Sequence, residues 1–227
     1  QQPERFHSEE YGYSVVIPQG WQRIPQEDVA ETFSQVMKPG QAFIFEAAYE
    51  PSSNPAPFQG PYLLLQVTPY ENLGGSQPSD SQIREILGEM GKLDVMEESR
   101  EAMTDEANSY IADAEMGVVD YDPETRTYAT KMELQTRHEG LTRAQIQGRF
   151  GHEAMVQLNF YAPVSEWESY RETYESTARS FQFDEDAAYE DGIWQTMPGL
   201  VRSMIIGGLI GLLFGLGGLV VRVIRGG

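Results

Sequence analysis

Hydrophobic and polar positions along this chain change their period several times, and the changes mark out its elements. The run YGYSVVIPQGW opens with strand-forming residues from Tyr13 to Ile17, stopped by Pro18 and a Gln19-Gly20 turn. AFIFEAAYE predicts a second strand ending at Pro51. Four prolines in residues 51–61 predict a loop, because proline cannot donate to a strand ladder. YLLLQVTPY predicts a third strand, apolar enough to be central. From Ser79 the period turns helical: Ile83, Ile86, Leu87 and Met90 recur on one face, and Ser79 with Gln82 fits a capping box.

Residues 92–112 are acidic and only partly helical in pattern. EMGVVDYDPETRTYATKMELQTR predicts a hairpin turning at Asp122-Pro123-Glu124-Thr125, with Tyr128, Thr130, Met132 and Leu134 sharing a face by period two. A second hairpin turns at Gly151-His152. Ala144, Ile146, Gly148 and Phe150 alternate in one arm, and Ala154, Val156, Leu158 and Phe160 in the other. SEWESYRETYESTARS predicts a last helix with a capping box at Ser165 and Glu168 and one stripe of Trp167, Tyr170, Tyr174 and Ala178. FQF adds a short strand. Strand runs joined by hairpins and interrupted by two amphipathic helices predict an α+β domain over residues 1–183, a mostly antiparallel sheet with helices on its faces. No internal repeat is visible.

Beyond an acidic linker and interfacial segment (184–199), the pattern becomes uniformly apolar. Residues 204–221, MIIGGLIGLLFGLGGLVV, carry no charge and six glycines. The uncharged stretch from Ser203 to Val221 would make a helix of roughly 27–29 Å, about one hydrocarbon core. Residues 200–227 are therefore expected to be a transmembrane helix with a short basic tail; a buried core helix seldom needs every face apolar. Trp194 sits just upstream, where an interfacial aromatic belt belongs. Arg222 and Arg225 outweigh Arg202 in the positive-inside balance, which places the tail in the cytoplasm and residues 1–199 in a periplasm or lumen. The start at Gln1 fits either a cleaved signal peptide or a boundary of the sequence itself.

The glycines are patterned too. Gly207, Gly211 and Gly215 are spaced by four, and Gly208, Gly217 and Gly218 widen the smooth strip. Small residues on one face let a second helix backbone approach closely, the main source of helix association in lipid. This face predicts packing against another helix, as a homodimer or inside a larger complex. The bland alternative is that glycine is common in membrane helices.

Charge narrows the classes further. The chain has 35 acidic and 16 basic residues, and every acidic one precedes Gly199. A body this acidic is repelled by nucleic acid, and that class drops out. Cysteine is absent, so there is no disulfide, thiolate metal site or cysteine nucleophile. His7, His138 and His152 lack a second ligand at helical spacing, and the clusters Glu97-Glu98-Glu101, Asp105-Glu106 and Asp184-Glu185-Asp186 lack a calcium-loop pattern. No metal, cofactor or catalytic residue is expected. The Trp167/Tyr170/Tyr174 stripe and Trp21 read as core.

The opening YGYSVVIPQGW and the closing VQLNFYAPVSEWESYRETYESTARSFQF resemble the two ends of the PsbP family, extrinsic proteins of the photosynthetic oxygen-evolving complex and their bacterial relatives. The element order follows that family over about residues 6–183. The resemblance implies an α/β/α sandwich around an antiparallel sheet and a largely non-enzymatic docking or assembly role beside membrane complexes. The C-terminal membrane helix departs from the soluble plant proteins.

Together these observations predict a non-catalytic, membrane-anchored accessory or assembly subunit of a photosynthetic or respiratory complex. Its partners would be the membrane, the transmembrane helices and non-cytoplasmic subunits of that complex, and a basic electron-transfer protein. A tethered domain binding a small ligand or divalent ion is the alternative, and a hydrolase built from dispersed carboxylates a weaker third.

Overall fold

Every strand pairing in the described part of the chain is antiparallel. The structure, a computed structural model, describes residues 4–189 except positions 74, 76, 93, 138 and 139. A small sheet is formed by β1 (Arg5–Ser8), β2 (Tyr13–Val16) and β11 (Gln182–Phe183). The large sheet runs in the order β3 (Trp21–Arg23), β4 (Ile44–Pro51), β5 (Tyr62–Pro69), β10 (Ala154–Pro163), β9 (Gly140–Phe150), β8 (Thr127–Thr136) and β6 (Ile111–Met116), with β7 (Asp120–Asp122) also paired to β8. The α+β class and the mostly antiparallel sheet are as the hydrophobic pattern predicts.

Layering follows from which residues each face buries. One face of the large sheet is covered by α1 (Gln26–Val36), α2 (Asp80–Met90), α3 (Val95–Ala102) and α4 (Asp105–Tyr110). Val29, Ile83, Leu87, Met90 and Ala102 pack there with Phe45, Leu64, Met132, Ile146 and Tyr161. The opposite face takes the small sheet and α5 (Trp167–Arg179), whose Trp167, Tyr174 and Ala178 meet Leu63, Leu65, Leu158 and Phe160. The aromatic stripe of this helix is core, as its spacing predicts.

Helix ends divide the correct expectations from the corrected ones. At α2 the Ser79 side chain accepts from the Gln82 amide, and the Gln82 side chain accepts from the Ser79 amide, a complete capping box. At α5 the expected box does not form. The N-cap is Glu166, with no side-chain cap, because a turn after Pro163 delays the helix and Glu168 pairs instead with Arg171 at 3.0 Å. Helix α1 escapes the pattern reading, since Pro25 at its start makes no side-chain cap. The acidic stretch 92–112 resolves into α3, α4 and the first residues of β6.

Strand β10 differs from the simple alternation expected of it. It is buried on both faces except at Pro163. Val156, Leu158 and Phe160 face α5, while Met155, Gln157, Asn159 and Tyr161 face the other helices. Two amides thus enter the core and bond to a third: Gln66 Nε2 donates to Gln157 Oε1 at 2.7 Å, and Asn159 Nδ2 donates to Gln66 Oε1 at 3.2 Å, while Asn159 Oδ1 is buried without a partner among the described residues. Buried polar groups persist where hydrogen bonds offset their desolvation.

Two carboxylates fasten the β4 end of the sheet. Glu46 lies where the β4–β5 register shifts, and the irregularity turns its side chain towards the small sheet. There Glu46 accepts from Ser8 Oγ at 2.5 Å and from Tyr13 Oη at 2.7 Å. Glu50, 3% exposed, staples the proline-rich loop by accepting from the Phe58 amide at 3.0 Å and from Asn54 Nδ2 at 3.2 Å. Phe58 itself holds a left-handed φ of 62°.

Burial is the largest influence on the Glu50 carboxyl and lifts it above its ordinary 4.5, with hydrogen bonds from Asn54, Phe58 and Gln22 pulling the other way. A raised folded-state value means the native state binds the proton first. The resulting stability is fully present below the unfolded value and is lost as pH rises through the folded one. Glu50→Gln is therefore expected to remove part of the gain in melting temperature on going from pH 7 down to about 4.5. Circular-dichroism melts across that range check it; parallel curves for the two proteins would refute it.

Among the described residues no helix is long and apolar enough to cross a membrane. The apolar stretch 203–221 lies outside them.

Candidate functional site: an acidic pocket at the chain exit

Three segments far apart in sequence meet beside the last described residues. The β1–β2 turn brings Glu9, Glu10, Tyr11 and Gly12; the β9–β10 turn brings Gly151, His152 and Glu153; the residues after β11 bring Asp184, Asp186 and Ala187. Together they line a pocket of about 170 Å³. That volume suits one side chain rather than the roughly 300–1,000 Å³ of a small-molecule site. Five carboxylates surround it. Burial, helped by Glu10, pushes the Tyr11 phenol up to about 12, so it remains a hydrogen-bond donor at neutral pH.

The last described residues build one wall of this pocket. The Asp184 amide donates to the Gly12 carbonyl at 2.8 Å, and the His152 amide donates to the Ala187 carbonyl at 2.9 Å. His7 Nε2 lies 2.9 Å from Asp184 Oδ2. Gly12, at φ +55°, lets this segment come close, since a Cβ there would stand 2.5 Å from that of Ala187. Tyr189 then turns onto the helix-covered side. Its Oη donates to the Pro78 carbonyl at 2.9 Å, and its ring lies 3.9 Å from the Arg126 guanidinium carbon.

A second hollow, about 400 Å³, is lined by residues of β7, β8 and β9 and by Thr125. Arg149 at its edge donates to Thr127 Oγ1 at 3.1 Å and to the Ala178 carbonyl at 3.0 Å, closing the C-terminal end of α5. Burial lowers the Arg149 guanidinium from its ordinary value and Asp122 raises it. In the most reactive-looking constellation, Ser8–Glu46–Tyr13, Ser8 is 2% exposed, Tyr13 is buried and Glu46 half-buried, and the group ties the two sheets together.

The predicted site residues fall elsewhere. Gly207, Gly208, Gly211, Gly215 and Gly218, with Trp194, Arg202, Arg222 and Arg225, all lie outside the described residues, as does His138. His7 and His152 are exposed, as expected of them. Among the described residues no three His, Asp or Glu side chains are grouped to hold a metal ion. The pocket itself was not foreseeable from local pattern. Asp184-Glu185-Asp186 is a visible acidic run, but Glu9, Glu10 and Glu153 join it only through the folding of two turns.

No family model and no curated protein sequence matches this chain. Several solved structures are similar to it. The solution structure of cyanobacterial PsbP (CyanoP) from Synechocystis sp. PCC 6803 aligns at 9% identity and TM-score 0.45, over 80% of this chain and 92% of that one. LpqN of Mycobacterium tuberculosis, described as involved in cell envelope biogenesis, aligns at 10% identity and TM-score 0.40, over 80% and 90%. The Ran-binding protein Mog1p of Saccharomyces cerevisiae aligns at 8% identity and TM-score 0.38, over 80% and 95%.

Proposed function

We propose that this protein is a non-catalytic, membrane-anchored accessory or assembly subunit. Its acidic domain docks on the periplasmic or lumenal face of a larger complex, photosynthetic or otherwise respiratory, and its glycine-faced helix packs among that complex's transmembrane helices. The observation that carries this reading is the position of the acidic pocket beside the last described residues, which precede the uncharged stretch in sequence. Thirteen residues, 190–202, separate Tyr189 from the uncharged stretch. Fully extended, they reach at most ~45 Å. A tether of that length keeps the domain near the membrane, where the five carboxylates of the pocket can meet a partner's basic surface. Clustered charge of one sign speeds encounter with the opposite sign and rejects like-charged partners.

Mild-detergent extraction of native membranes, with the intact protein as bait and its companions identified by mass spectrometry, tests the reading. A multi-subunit complex in stoichiometric amount is the expected result; recovery of the protein alone would refute it. Gly211→Leu with Gly215→Leu is expected to abolish co-recovery by blocking close helix approach. Undiminished co-recovery would remove the glycine face from the argument.

A further inference from the structure

The segment 184–189 is more than the start of a linker. Four of the residues lining the acidic pocket, Phe183, Asp184, Asp186 and Ala187, come from it or from the strand just before it. The pocket is therefore complete only while this segment lies against the domain. Among the described residues, two backbone bonds hold it to other elements, those of Asp184 to Gly12 and of His152 to Ala187; His7 meets the Asp184 carboxylate, and Tyr189 is its one large side chain seated on the domain. Asp184 and Asp186 line the pocket together with Glu9, Glu10 and Glu153, with His7 and His152 beside them and Arg126 at the Tyr189 end. Like charges pressed together weaken such a contact, and segments held by few bonds open at the low end of a protein's stability range.

We propose that residues 184–189 form a releasable strap with Tyr189 as its latch. Docked, the strap completes the acidic pocket and fixes where the chain leaves the domain. Released, it dismantles the pocket and adds six residues, roughly 20 Å, to the tether. A single local event thus couples the shape of the docking surface to its reach from the membrane. Pulling on the tether, or covering Tyr189's seat between Arg126 and Pro78, would produce that event.

The strap deepens the reading above because it shares the pocket with it, but its test needs no partner, so each can fail while the other stands. The measurement is amide hydrogen exchange by NMR on the full chain in detergent. Tyr189→Ala is expected to speed exchange of the His152 and Asp184 amides about tenfold, the loss of one ring contact and one hydrogen bond. Amides of β9 and β10 should be unchanged. Tyr189→Phe, which keeps the ring under Arg126 but lacks the hydroxyl, should show a smaller increase. Unchanged exchange at His152 in Tyr189→Ala would overturn the latch. A rise shared equally by β9 and β10 would also overturn it, since the strap would then open only when the domain unfolds.

Discussion

Replacing Tyr174 with alanine is expected to destabilise the domain by about 3–5 kcal/mol, a large part of the roughly 5–15 kcal/mol that holds most domains folded. Tyr174 is fully buried and central to the α5 side. Its ring centroid lies 4.8 Å from that of Phe160, 5.3 Å from that of Trp167 and 6.2 Å from that of Trp21. Truncation would leave these rings and that of Tyr170, 6.1 Å away, without their common partner and open a cavity that the rigid sheet cannot close. The hydroxyl contributes separately, donating to the Tyr161 carbonyl at 2.8 Å. Burial raises the phenol's pKa, so that proton stays in place at any pH the protein meets. Tyr174→Phe keeps the rings and removes that hydrogen bond, at a cost of about 0.5–1.5 kcal/mol. Urea unfolding of both variants separates packing from hydrogen bonding. Equal losses in the two would mean the ring cluster contributes little.

The second large effect is expected at Gly148, where alanine, usually a mild change, should be severe. Tyr128 on β8 lies across Gly148 on β9, its register partner, and a Cβ at residue 148 would stand 2.0 Å from Tyr128 Cε1. Atoms cannot share that space, so either the ring or the strand must move. Tyr128 is fully buried, and its ring packs against that of Phe150 at 6.0 Å. Overpacked cores typically lose about 1–3 kcal/mol, and a backbone-anchored clash of this depth belongs at or above the upper end. A double-mutant cycle identifies the cause: with Tyr128→Ala already present, Gly148→Ala should cost little further. Full additivity of the two changes would show that the glycine is needed for its backbone and not for the ring above it.

Much of this fold was legible because period-two and helical patterns record burial directly. Tyr128, Thr130, Met132 and Leu134 on one strand, and Trp167 and Tyr174 on one helix, face the core as their spacing predicts. What was not legible arises from contacts between distant segments. Strand β3 is short and half exposed, held by pairing to β4 rather than by its own alternation. Gln157 and Asn159 lie off the apolar face of Ala154, Val156, Leu158 and Phe160, and pattern alone does not show that Gln66 of β5 meets them inside the core. Ser165 has the chemistry of an N-cap, but the turn after Pro163 decides where α5 begins. The acidic pocket is the extreme case: its carboxylates are assembled by three chain reversals, and each looks alone like ordinary solvated charge.

The paired amides inside the large sheet have a consequence for how the chain finds its native alignment. Strand β10 presents apolar side chains to both sides, so hydrophobicity gives little preference between its correct alignment and one displaced by a single residue. Such a displacement exchanges the two faces of the whole strand. It would drive Gln157 and Asn159 in among Leu63, Leu65 and Trp167, far from Gln66 and without partners, a penalty of several kcal/mol per uncompensated group. The three amides thus act as a key cut for one alignment. Their chief contribution is to make that displacement expensive, on a strand that, like its neighbour β5, is buried on both faces and where grease alone would tolerate an error.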